Sequence, residues 1–241
     1  MDKETVGDVT HSILDAIKEN AVRTVFPYFG DVFVDSLKGF AALRSKRKFK
    51  RVSDFLQSLA KEFNDIKNKL NDDYISKNDF SDVCEETINY VANERNEDKR
   101  IYYKNILLHS MSQKSCSYDK TENYLRVLNQ LDTLGLEILK VLIDPIKYNR
   151  EQGSPIKELS SQHVGSGFCY QLNYKFINIL QKLIKQDEDT LLEELYFLKL
   201  NRLVVSDVES QNLTTNSNPV LVLDDCLTKR GKDFVSFLVN S

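Results

Sequence analysis

Between residues 122 and 143 the chain reads ENYLRVLNQLDTLGLEILKVLI, and this stretch limits the fold more than any other. Tyr124, Leu125, Leu128 and Leu131 fall at the three- and four-residue spacing that gathers side chains on one face of an α-helix. Leu134, Ile138, Leu139, Val141 and Leu142 form a second such series. Between the two stand Asp132 and Thr133, residue types whose side chains satisfy the free N–H groups of a helix's first turn. Two helices therefore meet at Asp132 and Thr133. Neither apolar stripe is stable in water, so each needs a cover from elsewhere in the chain. The joint suggests a helical domain over 1–115 and a second domain over 121–241 that ends in a strand hairpin and a capped helix.

Eight Gly and four Pro in 241 residues are few for a turn-rich β architecture, so the expected class is mainly α. A chain this long buries about 70–75% of its unfolded surface on folding and needs no metal or disulfide staple. Cys84, Cys116, Cys169 and Cys226 contain no C-x-x-C, which favours buried thiols in a reducing cytoplasm over zinc or a redox pair. The opening MDKETVGDVTHS lacks the apolar segment of a signal peptide, and the protein is expected to be cytoplasmic. Residues 21–43 come nearest to a membrane span, but Arg23, Asp31, Asp35 and Lys38 interrupt them at a prohibitive cost in hydrocarbon. No stable span is expected.

The same periodicity predicts a helix over 4–20 through Val6, Val9, Ile13 and Ile17, and a break at Pro27. A second helix opens at Gly30 and Asp31, and a third carries Phe55, Leu59, Phe63, Ile66 and Leu70. Residues 76–79 cap a helix bearing Phe80, Val83, Cys84, Ile88 and Val91, and Ile101 to Met111 mark a largely buried one. Residues 113–120 read as a polar linker and 144–154 as a loop. Pro155 opens a short helix to 161, and Phe168, Leu172, Phe176, Ile179, Leu180 and Leu183 suggest a long one. A helix capped near Asp187 runs to Asn201; strands follow over 202–208 and 219–224, and Thr228 caps the last helix.

Charge is unevenly placed. The net charge is −3, yet Arg44, Lys46, Arg47, Lys48, Lys50 and Arg51 carry +6 among themselves and leave −9 for the remainder. On a helix, Arg44, Lys48 and Arg51 share a face, with Arg47 and Lys50 beside it. This is enough cationic density for a nucleic acid or another anion, although a solvated face explains such a run equally well. Phe49 is the lone aromatic within it, so base stacking has little support.

Catalytic patterns are missing. His11, His109 and His163 are scattered, without the helical spacing of a metal site. Gly165-Ser166-Gly167 lacks the flanks of a nucleophile elbow or a phosphate loop and reads as a hinge. Glu85, Glu86, Glu94, Glu97 and Asp98 stand close to Arg95, Lys99 and Arg100, a setting for surface ion pairs. No catalytic residue, metal site or cofactor is implied.

Two resemblances bear on function. From residue 122 onward, LLEELYFLKLNRLVV and LVLDDCLTKRGKDFVSFL resemble the third helix, wing hairpin and closing helix of bacterial winged-helix regulators. Leu227, Thr228 and Gly231 match their "LT..G" end. The helix such a unit would place in a DNA groove begins DEDTLLEEL, and residues 185–225 hold nine acids against Lys185, Lys199 and Arg202, a net −6. That sign opposes phosphate binding. Asp187, Glu188, Asp189, Glu193 and Glu194 are instead candidates for contact with a protein.

Secondly, NERNEDKRIYYKNILLHSM and ENYLRVLNQLDTLGLEILKVL resemble the bacterial helical proteins grouped as Abi-alpha. The matching positions are Tyr103, Asn105, Ile106 and Leu107, then Tyr124, Leu128, Leu131, Asp132, Ile138 and Leu139, within residues 79–143. The winged-helix-like end departs from that pattern. The resemblance implies a bacterial protein linked to abortive infection, with no catalytic residues to carry over. The expectation is a non-enzymatic interaction or sensor protein of anti-phage defence that acts through a protein partner or self-association. The alternative is a nucleic-acid-binding regulator that uses the basic run.

Overall fold

Apolar stripes become helices through most of the chain, whose structure here is a computed structural model. It describes residues 22–23, 26, 30–42, 45–66, 69–75, 78–112, 116–156, 171–210, 212–214 and 226–239. The protein is mainly helical. It divides into two compact units, Met1–Asn129 and Gln130–Ser241.

In the first unit, α1 (Gly30–Ala42) buries Phe33, Val34 and Leu37. Helix α2 (Lys46–Ile66) buries Phe49, Val52, Phe55, Leu56, Leu59 and Phe63 along one continuous stripe. Lys46 to Arg51 of the basic run thus open this helix. Phe26 ties the two helices together, its ring centroid 5.1 Å from those of both Phe33 and Phe63 in edge-on contacts. The short α3 (Asp72–Ile75) is pinned by the Asn71 N–H, which donates to Met111 O at 2.8 Å. Helix α4 (Asn78–Asn93) turns Phe80, Val83, Cys84, Ile88 and Val91 inward, as its sequence predicts. Helices α1, α4 and α5 (Glu97–Ser112) all pack on α2.

Helix α5 is buried nearly all round from Tyr103 to Met111. Tyr103, Ile106, Leu107, Leu108 and Met111 are covered, and so are Lys99, Lys104, Asn105 and Ser110. Its charged groups must therefore find partners inside the fold. Lys104 Nζ donates to Ser58 Oγ at 3.0 Å and pairs with Glu62. Lys99 Nζ donates to Asn129 O at 2.9 Å and lies 3.3 Å from Glu94 Oε2. The sequence suggested a surface ion pair for Glu94, but their side chains are only 17% and 8% exposed. Asn129 sits in the last turn of α6 (Tyr118–Gln130), whose unpaired carbonyls favour a cation. This helix begins inside the segment read as a linker and belongs with the first unit.

In the second unit, α7 (Thr133–Ile143) starts where the sequence places the joint: Asp132 accepts the Gly135 N–H at 2.8 Å. The expected loop over 144–154 is largely helix α8 (Pro145–Glu151). Pro145 occupies its first turn, where a proline's missing N–H costs nothing, and Asp144 caps Lys147 at 2.8 Å. Buried Asn149 then brackets Ile156, donating to its carbonyl at 2.9 Å and accepting its N–H at 3.0 Å.

The helix predicted from Phe168 starts only at Phe176. Before it, Gln171–Lys175 is strand β1, in which Leu172 and Tyr174 alternate with polar residues. Helix α9 (Phe176–Ile184) follows, closed by Lys185 in the left-handed region at φ 60. Helix α10 (Glu188–Leu200) buries Leu191, Leu195 and Leu198, and packs on α7 and α9. The strand expected over 202–208 is not formed. Arg202 is left-handed at φ 56, and the Leu203 N–H folds back onto Leu198 O at 2.9 Å. The segment is thus held against the end of α10, with one bridge, Val204 to Leu227, and a 3-10 turn at Val208–Ser210. The other expected strand, over 219–224, lies outside the described residues, and no wing hairpin is seen among those that are described. Strand β2 (Asn212–Thr214) instead falls between the two expected strands and pairs antiparallel with β1, Gln171 opposite Thr214. The closing helix α11 (Lys229–Leu238) is capped by Thr228, as predicted, with the Gly231 N–H donating to Thr228 Oγ1 at 3.0 Å.

Candidate functional site

Helix geometry decides which basic residues face water. At 3.6 residues per turn the burial of Phe49, Val52, Phe55 and Leu56 sends Lys46, Arg47, Lys50, Asp54, Gln57 and Lys61 to the opposite side, and all six are exposed. Among the described residues Lys46, Arg47 and Lys50 have no ion-pair partner. The face expected from spacing alone is corrected in two places. Lys48 is half-buried beside Phe49, and Arg51 is occupied, its guanidinium donating to Ala92 O at 2.9 Å in the last turn of α4. Arg44 lies outside the described residues.

The acidic helix α10 also sorts its residues. Asp187 is engaged as N-cap: Oδ1 accepts the Thr190 N–H at 2.9 Å and Oδ2 the Thr190 hydroxyl at 2.8 Å. These bonds hold its carboxyl below the usual range. Glu188, Asp189 and Glu193 are exposed. Asp189, Glu193, Tyr196 and Leu200 are spaced four, three and four apart, so they form one stripe opposite Leu191, Leu195 and Leu198. Tyr196 and Leu200 are 62% and 63% exposed, the most open large apolar side chains among the described residues, ahead of Ile101 and Val239 at 42%. Sequence reasoning missed these two because the acids around them masked the apolar half of the stripe.

Glu194 departs from its expected role. It turns towards α7, and its Oε1 is buried without a hydrogen-bond partner among the described residues. It fits there because residue 135 is glycine; a Cβ at that position would stand 2.1 Å from this oxygen. Desolvation, reinforced by the Asp132 charge, pushes the Glu194 carboxyl up to about 7. The native state therefore holds a proton that the unfolded chain releases near its ordinary 4.5. Stability from this group is full below that value and is lost as pH rises through about 7. We expect the melting temperature of the second unit to fall between about pH 5 and pH 8. Glu194→Gln should flatten that slope in thermal melts followed by circular dichroism.

Little else offers chemistry. His109 is half-buried with Nδ1 2.9 Å from Asn105 O, while His11 and His163 lie outside the described residues. Cys84, Cys116 and Cys226 are buried, and burial pushes the Cys84 thiol well up; Cys169 lies outside the described residues. Among the described residues no group of three or more His, Cys, Asp or Glu is placed to hold a metal. Nor is any described helix long and apolar enough to cross a membrane. In comparisons with protein-family models, curated proteins and solved structures, the chain matches none.

Proposed function

We propose that this chain is a non-enzymatic interaction protein, with the outer stripe of α10 as its docking face. The observation that carries the reading is the exposure of Tyr196 and Leu200 in line with Asp189 and Glu193. An exposed aromatic beside an aliphatic side chain and fixed charge is the composition of a contact patch: the apolar pair supplies burial, and the acids select a basic partner. The setting we assign is bacterial anti-phage defence, on the resemblance to the Abi-alpha proteins. We read the second unit as winged-helix-like. Support comes from the order of α7, β1, α9, α10 and α11 and from the Val204 to Leu227 bridge at the place where a wing would start. Its third helix then presents acids to a protein where a DNA reader presents bases to phosphate.

The test is protection of a bacterial host against a panel of phages, scored by efficiency of plating. Tyr196→Ser with Leu200→Ser should lower protection at least about tenfold, the effect of losing roughly 1.4 kcal/mol of contact. Both positions are exposed, so far-UV circular dichroism should not change. Full protection by the double variant would remove α10 as the docking face. Absence of protection by the wild-type chain would remove the defence setting.

A second reading, nucleic-acid binding, is favoured by the exposed cations Lys46, Arg47 and Lys50 on α2. Binding to short duplexes and single strands that weakens steeply with salt, and vanishes in Lys46→Ala, Arg47→Ala, Lys50→Ala, would promote it. The acidic excess elsewhere in the chain works against that outcome.

A further inference from the structure

We infer that the partner of the α10 stripe is the α2 stripe of a second copy, so that chains associate head to tail. The inference rests on the docking face proposed above and names what covers it. The two faces are complementary in sign: Asp189 and Glu193 on α10 against Lys46, Arg47, Lys50 and Lys61 on α2, a row on which Asp54 is the one exposed acid. They also match in spacing. Asp189 and Glu193 stand one helical turn apart, as do Lys46 and Lys50, so carboxylates and ammoniums repeat at the same rise of about 6 Å. Tyr196 and Leu200 extend the acidic pair along the same line. Lysine methylene stems and the Arg47 guanidinium, which stacks on aromatic faces, provide a surface for them to cover.

Both stripes are exposed in one and the same chain, and each is held by a helix whose opposite side is locked in a core. A long polyanion meets repulsion from the −9 that the chain carries outside the basic run. A second copy has a net charge of only −3, so it meets far less of this repulsion than a polyanion does. Because the two faces differ, the contact is heterologous, and unless the rotation closes a ring it propagates into rows.

Light scattering and sedimentation equilibrium on the full chain test this. At about 0.01 M salt the mean mass should rise with concentration to roughly double the 27.9 kDa of one chain or more, and it should return to one chain near 1 M, where screening is complete within about 3 Å. Lys46→Glu with Lys50→Glu should be monomeric at every concentration, and so should Asp189→Lys with Glu193→Lys. All four changes together restore opposite signs and should restore growth. A wild-type chain that stays monomeric at low salt overturns the inference, as does association that survives either pair or a fourfold variant that remains monomeric. The docking face is judged separately: loss of phage protection in Tyr196→Ser with Leu200→Ser, alongside a monomeric wild type, would keep that face and assign it to a different protein.

Discussion

Gly231→Ala is expected to unfold the second unit at temperatures the native chain withstands. A Cβ at this position would lie 1.8 Å from Leu203 O and 2.8 Å from its carbonyl carbon, separations no packed methyl group tolerates. The obstacle is backbone, and that backbone is fastened. Leu203 O accepts the Thr228 N–H at 3.0 Å, the Val205 N–H donates to Cys226 O at 2.9 Å, and Val204 bridges Leu227. Moving Leu203 aside means breaking this clasp, which joins the end of α10 to the start of α11. We expect a loss of about 3 kcal/mol or more, the upper range for overpacking. For a unit of this size that is on the order of ten degrees in melting temperature. Gly135→Ala is the control. Its Cβ would stand closest to Glu194 Oε1 and Leu131 Cδ2, both ends of side chains and not backbone. Its cost should stay below about 1 kcal/mol. Equal losses from the two variants, in urea unfolding followed by circular dichroism, would show that the Leu203 clasp is not what restricts residue 231.

Lys99→Ala is expected to have the largest effect in the first unit, about 3–5 kcal/mol, because it strands a largely buried carboxylate and leaves the Asn129 carbonyl without its donor. Glu94 keeps one partner, its Oε1 accepting the Asn96 N–H at 2.8 Å, but loses the cation opposite Oε2. Removing both charges is a different matter. Lys99→Met with Glu94→Gln fills the same volume and leaves no buried charge, so it should be less destabilising than Lys99→Ala alone. Urea midpoints of the three proteins decide this. A double variant worse than the single one would mean that the pair contributes net stability beyond the repair of its own burial.

The parts of this fold that were legible in the sequence are those fixed within one or two turns. Asp132 caps α7, Thr228 caps α11, and the stripe from Phe55 to Phe63 lies inside one helix. Each depends on neighbours a few residues away. What was not legible depends on distant ones. Strand β1 exists because Gln171 meets Thr214, a partner that no local pattern specifies. Spacing grouped Arg51 with the free cations, but the carbonyl of Ala92 engages it. Glu194 reads as one more surface acid, yet the missing side chain at Gly135 draws it inward. The docking stripe itself was half legible: its acids were evident, while Tyr196 and Leu200 stayed hidden among them until the burial of Leu191, Leu195 and Leu198 left them outside.

Helix α5 has a consequence for how such a chain can diversify. From Tyr103 to Met111 this helix leaves little outward face on which a recognition residue can be exchanged, and a change in side-chain volume there strains several neighbours at once. Novelty in the first unit is thereby displaced to its periphery, where α2 can alter the charge of an outer row without disturbing its inner one. Descendants of this sequence would keep the middle nearly constant and trade letters at the rim, so partner preference can drift while the architecture stays put.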